Sequence, residues 1–314
     1  MINIVYACDS NYNQQLNNSI NSILKHCSEN VSIFIIHDKP ASFEERKLKL
    51  IKKFPNLKRI ELFSINKNDI KFPNLKNKHV SEATYYRLFI EELIPSEVDF
   101  LLYLDADIIC IKNLAEHYKR IVDQLKQSEY VIGCRTEFQL NDSNRIKFES
   151  LEMNSISYFN AGVMFINFNK WRKNNIGKKL IEKLNDDDLD LEYWDQDLLN
   201  NHFDGNYIEI YEMLNKPLNV KWEMNRNEIW STSVLLHYQG NCKPWNIKYA
   251  FNRLSVHYHN NSIDTLGKYH LLSKNRFFDF FHLVKNLVYI KFRHLKSPGK
   301  FYLTAISTLI WKSK

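Results

Sequence analysis

Through the first hundred residues, short apolar runs alternate with stretches of helical period, and this alternation restricts the fold more than any other feature of the chain. Residues 4–7 form an apolar run, after which Leu16, Ile20, Ile23 and Leu24 fall on one helical face. Residues 31–36 are apolar again, a Lys/Glu-rich helix is expected over Glu44–Lys53, and residues 59–63 read as a third strand. A βαβαβ start predicts an α/β protein with a largely parallel sheet and helices on its faces. Its right-handed crossovers leave a ligand crevice at the carboxyl ends of the strands. Further on, residues 83–93 read as a helix stopped by Pro95, residues 130–134 and 163–168 as strands, and residues 170–184 and 193–200 as helices. Residues 63–78 and 139–157 are polar and long enough to be functional loops.

One strand of this series ends unusually. Phe100-Leu101-Leu102-Tyr103-Leu104 runs straight into Asp105-Ala106-Asp107, so two carboxylates arrive at the edge where α/β proteins bind ligands. Paired carboxylates there are a candidate seat for a divalent cation, which in turn handles phosphates. Spacing alone carries little weight, because Asp-x-Asp recurs at Asp186/Asp188, Asp188/Asp190 and Asp195/Asp197. Only the pair at Asp105 follows a buried-looking strand.

The best third ligand is His237, delivered by the apolar lead-in Leu235-Leu236; a core histidine with a satisfied hydrogen bond is the competing reading. Two carboxylates and an imidazole suit Mn²⁺ better than Mg²⁺, which prefers an all-oxygen set. Gly240 lets backbone approach an anion, and Lys243 offers a mobile ammonium, so a diphosphate fits between metal and lysine.

These residues carry a resemblance. Asp105-Ala106-Asp107, Asn160-Ala161-Gly162-Val163 after Tyr158-Phe159, Trp194-Asp195-Gln196-Asp197, and His237-x-x-Gly240-x-x-Lys243-Pro244-Trp245 stand in the order and spacing of glycosyltransferase family 8. The pattern most resembles the family's bacterial lipooligosaccharide α-galactosyltransferases and runs from Met1 to about Trp245. It implies a GT-A fold, a Rossmann-like nucleotide-diphospho-sugar transferase whose mixed sheet is flanked by helices. It also implies retaining transfer of a hexose from a UDP-sugar with Mn²⁺ (Mg²⁺ as the alternative) on Asp105, Asp107 and His237.

By position, Ala7, Asp9 and Asn11 resemble the nucleoside site, continued by His79, Val80, Thr84 and Arg87. Ala106 lies between the metal-binding carboxylates. Asn160, Ala161, Asp195 and Gln196 resemble the donor-sugar residues, and Gly240 with Lys243 the diphosphate clamp. Asp9 reads equally as a helix N-cap, and Arg87 equally as a surface ion pair. Gln196 is a poor nucleophile and Asp195 more plausibly a hydroxyl ligand, which favours same-face substitution over a covalent intermediate. Where the galactosyltransferase pattern has an acid contacting the hexose, this chain reads Arg135-Thr136-Glu137, so galactose and glucose both stay open, with discrimination expected around Thr136, Asn160 and Gln196.

The remaining expectations come from composition. A chain of 314 residues, 44% hydrophobic and 25% charged, holds ample core, and five cysteines without a C-x-x-C pair read as free thiols in a reducing compartment. Residues 1–7 lack a basic n-region and read as a strand, not a signal peptide. Net charge is +7, and from Lys285 onward there are seven Lys or Arg and no acid. Phe277, Phe278, Phe280, Phe281, Leu283, Val284, Leu287, Val288 and Ile290 crowd the same stretch, which suits the surface of an anionic membrane.

The chain is therefore expected to comprise a catalytic domain over 1–260 and a C-terminal helical, membrane-associating region over 261–314. It would lie peripherally on the cytoplasmic membrane face, with a UDP-hexose donor, a glycan or glycolipid acceptor and no nucleic acid as partners. C-terminal helices packed on the domain are the competing reading of that segment. For function, the alternatives are a self-glucosylating glycogenin-like priming protein and a non-catalytic nucleotide-sugar or glycan-binding module.

Overall fold

The computed structural model describes residues 1–65, 72, 81–185, 191–221, 224–289 and 293–311. It divides into two compact units. The first comprises Met1–Asn13, Cys27–Ala106 and Leu114–Glu212; the second comprises Gln14–His26, Asp107–Asn113 and Met213–Lys314. The division passes through Asp105-Ala106-Asp107, and the expected boundary at 260/261 falls inside the helix Val256–Leu266.

Ten strands are described, in chain order β1 (Ile2–Cys8), β2 (Val31–His37), β3 (Leu57–Phe63), β4 (Phe100–Leu104), β5 (Ile108–Cys110), β6 (Ile132–Gln139), β7 (Ser157–Asn167), β8 (Ile208–Glu209), β9 (Lys216–Pro217) and β10 (Leu235–His237). Unit 1 is built on a mixed seven-stranded sheet of order β3-β2-β1-β4-β7-β6-β8. Strands β3, β2, β1 and β4 run parallel, as the alternation predicts, and β7 pairs antiparallel with β4 and β6. Every residue of β2 is buried, which is why it reads as an apolar run interrupted only by Ser32 before His37. The order reverses between β1 and β4, whose register Val5↔Tyr103 brings Asp9 and Asp105 to the same sheet edge.

Local chemistry explains most element ends. The helix Glu44–Lys53 has its expected bounds, with Glu44 and Glu45 in the first turn and Lys52 and Lys53 in the last, opposing the helix dipole at both termini. The expected helix over residues 83–93 is instead a 3-10 helix, Glu82–Phe89, continued by one α-turn, Ile90–Leu93. Strand β7 starts earlier than expected, at Ser157, and so includes Asn160 and Ala161. The expected helix over 170–184 is two helices, Phe168–Lys173 and Ile176–Leu184, because Asn175 turns left-handed at φ 52°.

Unit 2 holds the three-stranded sheet β5-β10-β9 and a cluster of helices. Leu16, Ile20, Ile23 and Leu24 of the helix Asn13–His26 are all buried, as their period predicts. Ser22 Oγ on that helix accepts from Cys110 N of β5 at 2.9 Å. Ile247, Phe251, Tyr269, Leu283, Phe301 and Ala305 form the apolar center of the helical part. The helices Arg276–Val288 and Pro298–Ile310 thus each bury one stripe and expose the other, including Phe277, Phe278, Phe280, Phe281, Leu303 and Trp311. No helix among the described residues is long and apolar enough to cross a membrane. All five cysteines are free thiols, four of them buried.

Candidate active site

Unit 1 gathers its charged groups around Arg87. The 3-10 helix turns this side chain inward, where it is 7% exposed and stacks on Tyr103 with its guanidinium carbon 4.3 Å from the ring center. The fork divides its contacts: Nε is ion-paired with Asp195 Oδ2 at 2.5 Å and donates to Thr84 O at 3.4 Å, Nη1 donates to Ala161 O at 2.6 Å, and Nη2 donates to Asp105 Oδ1 at 3.2 Å. Tyr103 Oη also donates to Asp105 Oδ1, at 2.8 Å, and Thr84 Oγ1 donates to Asp195 Oδ1 at 2.5 Å. The surface reading of Arg87 is therefore wrong. It is a buried clamp joining the ends of β4, β7 and the helix Trp194–Phe203. Burial pushes the Asp195 carboxyl up to about 6, against the opposing pull of Arg87 and Thr84.

The helix Trp194–Phe203 presents three consecutive polar side chains in three directions. Trp194 enters it at φ 50°, and Asp195 then faces Arg87. Gln196 Oε1 accepts from Ala161 N at 3.0 Å and Asn160 Nδ2 at 3.3 Å, while its Nε2 donates to Glu137 Oε2 at 3.1 Å and Tyr158 Oη at 3.3 Å. Asp197 Oδ1 accepts from Tyr158 Oη at 2.5 Å and lies 2.9 Å from Lys147 Nζ. Asn200, one turn on, locks the helix to β7 by accepting from Phe159 N at 2.7 Å and donating to Phe159 O at 2.9 Å.

Asn160 completes this row. Its Nδ2 donates to Glu137 Oε2 at 3.1 Å and its Oδ1 accepts from Gly162 N at 3.1 Å. Thr136, expected among these residues, is elsewhere: its backbone N–H and hydroxyl both bind Glu209, and its Oγ1 lies 2.6 Å from Tyr207 Oη. Glu137 occupies the place anticipated for Thr136. The β6–β7 register slips between Thr136 and Phe138, and this irregularity, with no signature in the sequence, selects which side chain meets Asn160. Lys147, Tyr158 and Glu137 are the polar groups that sequence reasoning did not assign. Lys147 comes from the helix Arg145–Ser150, inside the segment expected to be a functional loop.

Unit 2 supplies the other half of the motif set. β10 pairs His237 with Ile108 of β5, placing the imidazole beside Asp107, with Nε2 3.3 Å from Oδ1. Both groups are buried. His237 Nδ1 sits 2.8 Å from Asn215 Oδ1 and 3.4 Å from Gln239 Nε2, contacts that orient the ring with Nε2 toward Asp107. Asp107 Oδ1 is buried and accepts no hydrogen bond among the described residues. Lys243 Nζ is ion-paired with Asp107 Oδ2 and donates to Tyr238 O at 2.7 Å. Burial alone would raise the Asp107 carboxyl, but Lys243 and His237 outweigh it and hold it well below the usual carboxylate range. Gly240 has φ 66°, and an added Cβ would meet nothing within 4 Å, so the left-handed backbone, rather than crowding, selects glycine.

The remaining predicted residues lie at the end of β1. Ala7, next to last in β1, is half-buried against the core of unit 1, and Asp9 caps the short 3-10 helix Ser10–Tyr12 by accepting from Asn11 N at 2.9 Å. The N-cap reading of Asp9 thus holds, and Asn11 is exposed. Ala106 is buried. His79 and Val80 lie outside the described residues.

Comparison with known proteins places this geometry. The chain is 31% identical over 257 residues to a lipopolysaccharide 1,2-glucosyltransferase of Escherichia coli, covering 77% of this chain and 73% of that one. It is 28% identical over 251 residues to a lipopolysaccharide 1,3-galactosyltransferase of Salmonella typhimurium, with coverage of 77% and 72%. Among solved structures, the galactosyltransferase LgtC in complex with donor and acceptor sugar analogs shares the fold. The TM-score is 0.64 at 21% identity, over 84% of this chain and 96% of that one. The family model described as "Glycosyl transferase family 8" matches residues 3–248, and the chain belongs to that family.

Proposed function

We propose that this glycosyltransferase moves a hexose, glucose or galactose, from a UDP-sugar to a hydroxyl of a lipopolysaccharide-type surface glycan, with retention of configuration. The lipopolysaccharide glucosyl- and galactosyltransferases among its relatives support the hexose and the acceptor class.

The observation that carries the reading is the Asp107–His237 pair. A carboxylate oxygen that accepts no hydrogen bond among the described residues and an imidazole nitrogen sit 3.3 Å apart in a buried place. Such an arrangement calls for a cation, and mixed oxygen and nitrogen donors favor Mn²⁺. Asp105, two residues upstream, is the third expected ligand, its carboxylate oriented by Arg87 and Tyr103. A bound divalent cation would neutralize the donor diphosphate and act as a Lewis acid toward departing UDP.

The protein's own groups supply the rest. Lys243, on a flexible stem beside Asp107, gives a positive charge to the leaving diphosphate, and the open backbone at Gly240 gives it room. Asn160, Glu137 and Gln196 offer amide and carboxylate edges to sugar hydroxyls. The Gln196 amide is engaged at both ends and the Asp195 carboxylate is clamped by Arg87 and Thr84, so neither is poised as a nucleophile. This supports same-face attack, with the departing phosphate oxygen taking the acceptor's proton.

The exposed phenylalanines of the helix Arg276–Val288, next to the basic C-terminus, support a peripheral seat on an anionic cytoplasmic membrane surface. Phe301 and Ala305 lie in the core of unit 2, so truncation would open that core; a Phe277→Ser/Phe281→Ser variant is the cleaner probe. It should lose binding to phosphatidylglycerol vesicles while keeping UDP-hexose hydrolysis; undiminished vesicle binding removes the membrane seat. The chemistry is tested by calorimetric titration of Mn²⁺ into the parent and a His237→Ala variant. The parent should bind and the variant should bind at least about tenfold more weakly; equal affinity contradicts the ligand assignment.

A further inference from the structure

Unit 2 holds a cavity of about 630 Å³ whose described lining contains six basic side chains, Lys221, Arg226, Lys248, Arg253, Lys285 and His282, and no carboxylate. These residues come from three segments: the stretch before the helix Arg226–Thr232, the turn around the helix Ile247–Ala250, and the helix Arg276–Val288. Among the described residues, Arg226, Lys248, Arg253 and Lys285 form no salt bridge, whereas Lys25 and Lys296 of the same unit both pair with Asp264. Like charges gathered around a concavity whose described lining holds no carboxylate raise the local concentration of anions.

The walls are fixed before any ligand arrives. Asn252 Nδ2 donates to Val220 O at 2.8 Å and its Oδ1 accepts from Leu254 N at 2.8 Å, tying two of the segments together. Arg226 lies over Trp230 at 5.5 Å and Lys248 over Tyr249 at 5.3 Å. Tyr249 is pushed up to about 12, chiefly by its hydrogen bond with Cys242, and so keeps its phenolic proton. Asn286 completes a lining of cations and neutral hydrogen-bonding groups.

We propose that this cavity is a second anion site that binds a phosphate ester, with the cations on the phosphoryl oxygens and Tyr249, Asn252 and Asn286 on adjoining hydroxyls. The chemistry is shared by a phosphorylated sugar of the acceptor and a phospholipid headgroup. It is independent of the UDP-sugar reading, since none of the lining residues belongs to the donor or cation set.

The test uses the full chain with EDTA present. Glucose 6-phosphate should bind the parent and free glucose should not. Lys248→Ala/Arg253→Ala, both exposed and outside the core, should weaken glucose 6-phosphate binding about tenfold or more, and added salt should weaken it in the parent. Acceptor-free UDP-hexose hydrolysis by the variant should equal that of the parent, which separates this site from the catalytic one. If the double variant instead loses phosphatidylglycerol vesicle binding while glucose 6-phosphate binds neither protein, the site stands with a lipid headgroup as its source. Equal binding by parent and variant of both probes overturns the proposal. So does a control, Lys300→Ala on another helix, that weakens binding as much, since the effect would then be diffuse charge.

Discussion

Replacing Arg87 with methionine removes the hub of unit 1 while keeping most of its apolar volume. Hydrogen-bonding or ionic contacts to Asp195, Thr84 O, Ala161 O and Asp105 disappear, and loss of the first leaves a carboxylate that is 1% exposed without its cation. Breaking a buried pair from one side costs about 3–5 kcal/mol, most of it from the stranded charge. The companion substitution Asp195→Asn removes that charge. Arg87→Met/Asp195→Asn should therefore be less destabilized than the two single variants summed, by at least about 1.5 kcal/mol.

A pH signature accompanies the effect. Asp195 already titrates at about 6 in the fold against 3.8 as a free carboxyl, and losing Arg87 raises it further. Below the new value the variant's folded state holds a proton that the unfolded state lacks, whereas the parent takes up the same proton only near 6, so the Arg87→Met deficit should shrink as pH falls from 7 to about 6 and level off below. The change approaches about 1.4 kcal/mol per unit across the titration. Urea unfolding of the parent, both single variants and the double variant at pH 7 and pH 5 measures all of this. Additive losses and a pH-independent deficit would refute the claim that Arg87 acts by compensating Asp195.

Three further outcomes follow from named contacts. Asn215→Leu removes the side chain that orients the His237 ring, so Mn²⁺ affinity in a calorimetric titration should fall about 10–100-fold. Glu137→Ala strips the shared acceptor from Asn160 and Gln196 and should change the ratio of kcat/KM for UDP-glucose and UDP-galactose by about tenfold. Thr136→Val, on the Glu209 side, should leave that ratio alone. Buried His259 stays neutral down to about 3 against 6.5 when unfolded, so the unfolded state binds more protons between those values and stability is lost as pH falls through them. At pH 5 this amounts to about 2 kcal/mol, and His259→Phe should reduce the drop in Tm between pH 7 and pH 5.

The parallel half of the sheet was legible because β1, β2 and β4 are largely buried on both faces and its helices carry one apolar stripe, the two patterns that periodicity detects. The aspartates after β4 and His237 at the end of β10 were legible for the same reason, since an apolar run fixes where a strand ends. Three things were not. Arg87 is buried only because Asp195 and Ala161 O, distant in sequence, converge on it, and a local pattern cannot register that. Glu137 rather than Thr136 meets Asn160 because of a register slip in β6, invisible to two-residue alternation. The 3-10 helix Glu82–Phe89 shares enough period with an α-helix that residues 83–93 read as one element.

The central claim is that Asp107 belongs to a cation-dependent diphosphate site. Its most direct test is UDP release from UDP-glucose and UDP-galactose, followed with and without Mn²⁺, by the parent and by Asp107→Asn. The account predicts Mn²⁺-dependent release by the parent on at least one donor and a loss of about a hundredfold or more in the variant, as expected when a metal-bound leaving group loses a ligand. Release by the parent that ignores Mn²⁺, or an Asp107→Asn variant that turns over like the parent, would contradict it.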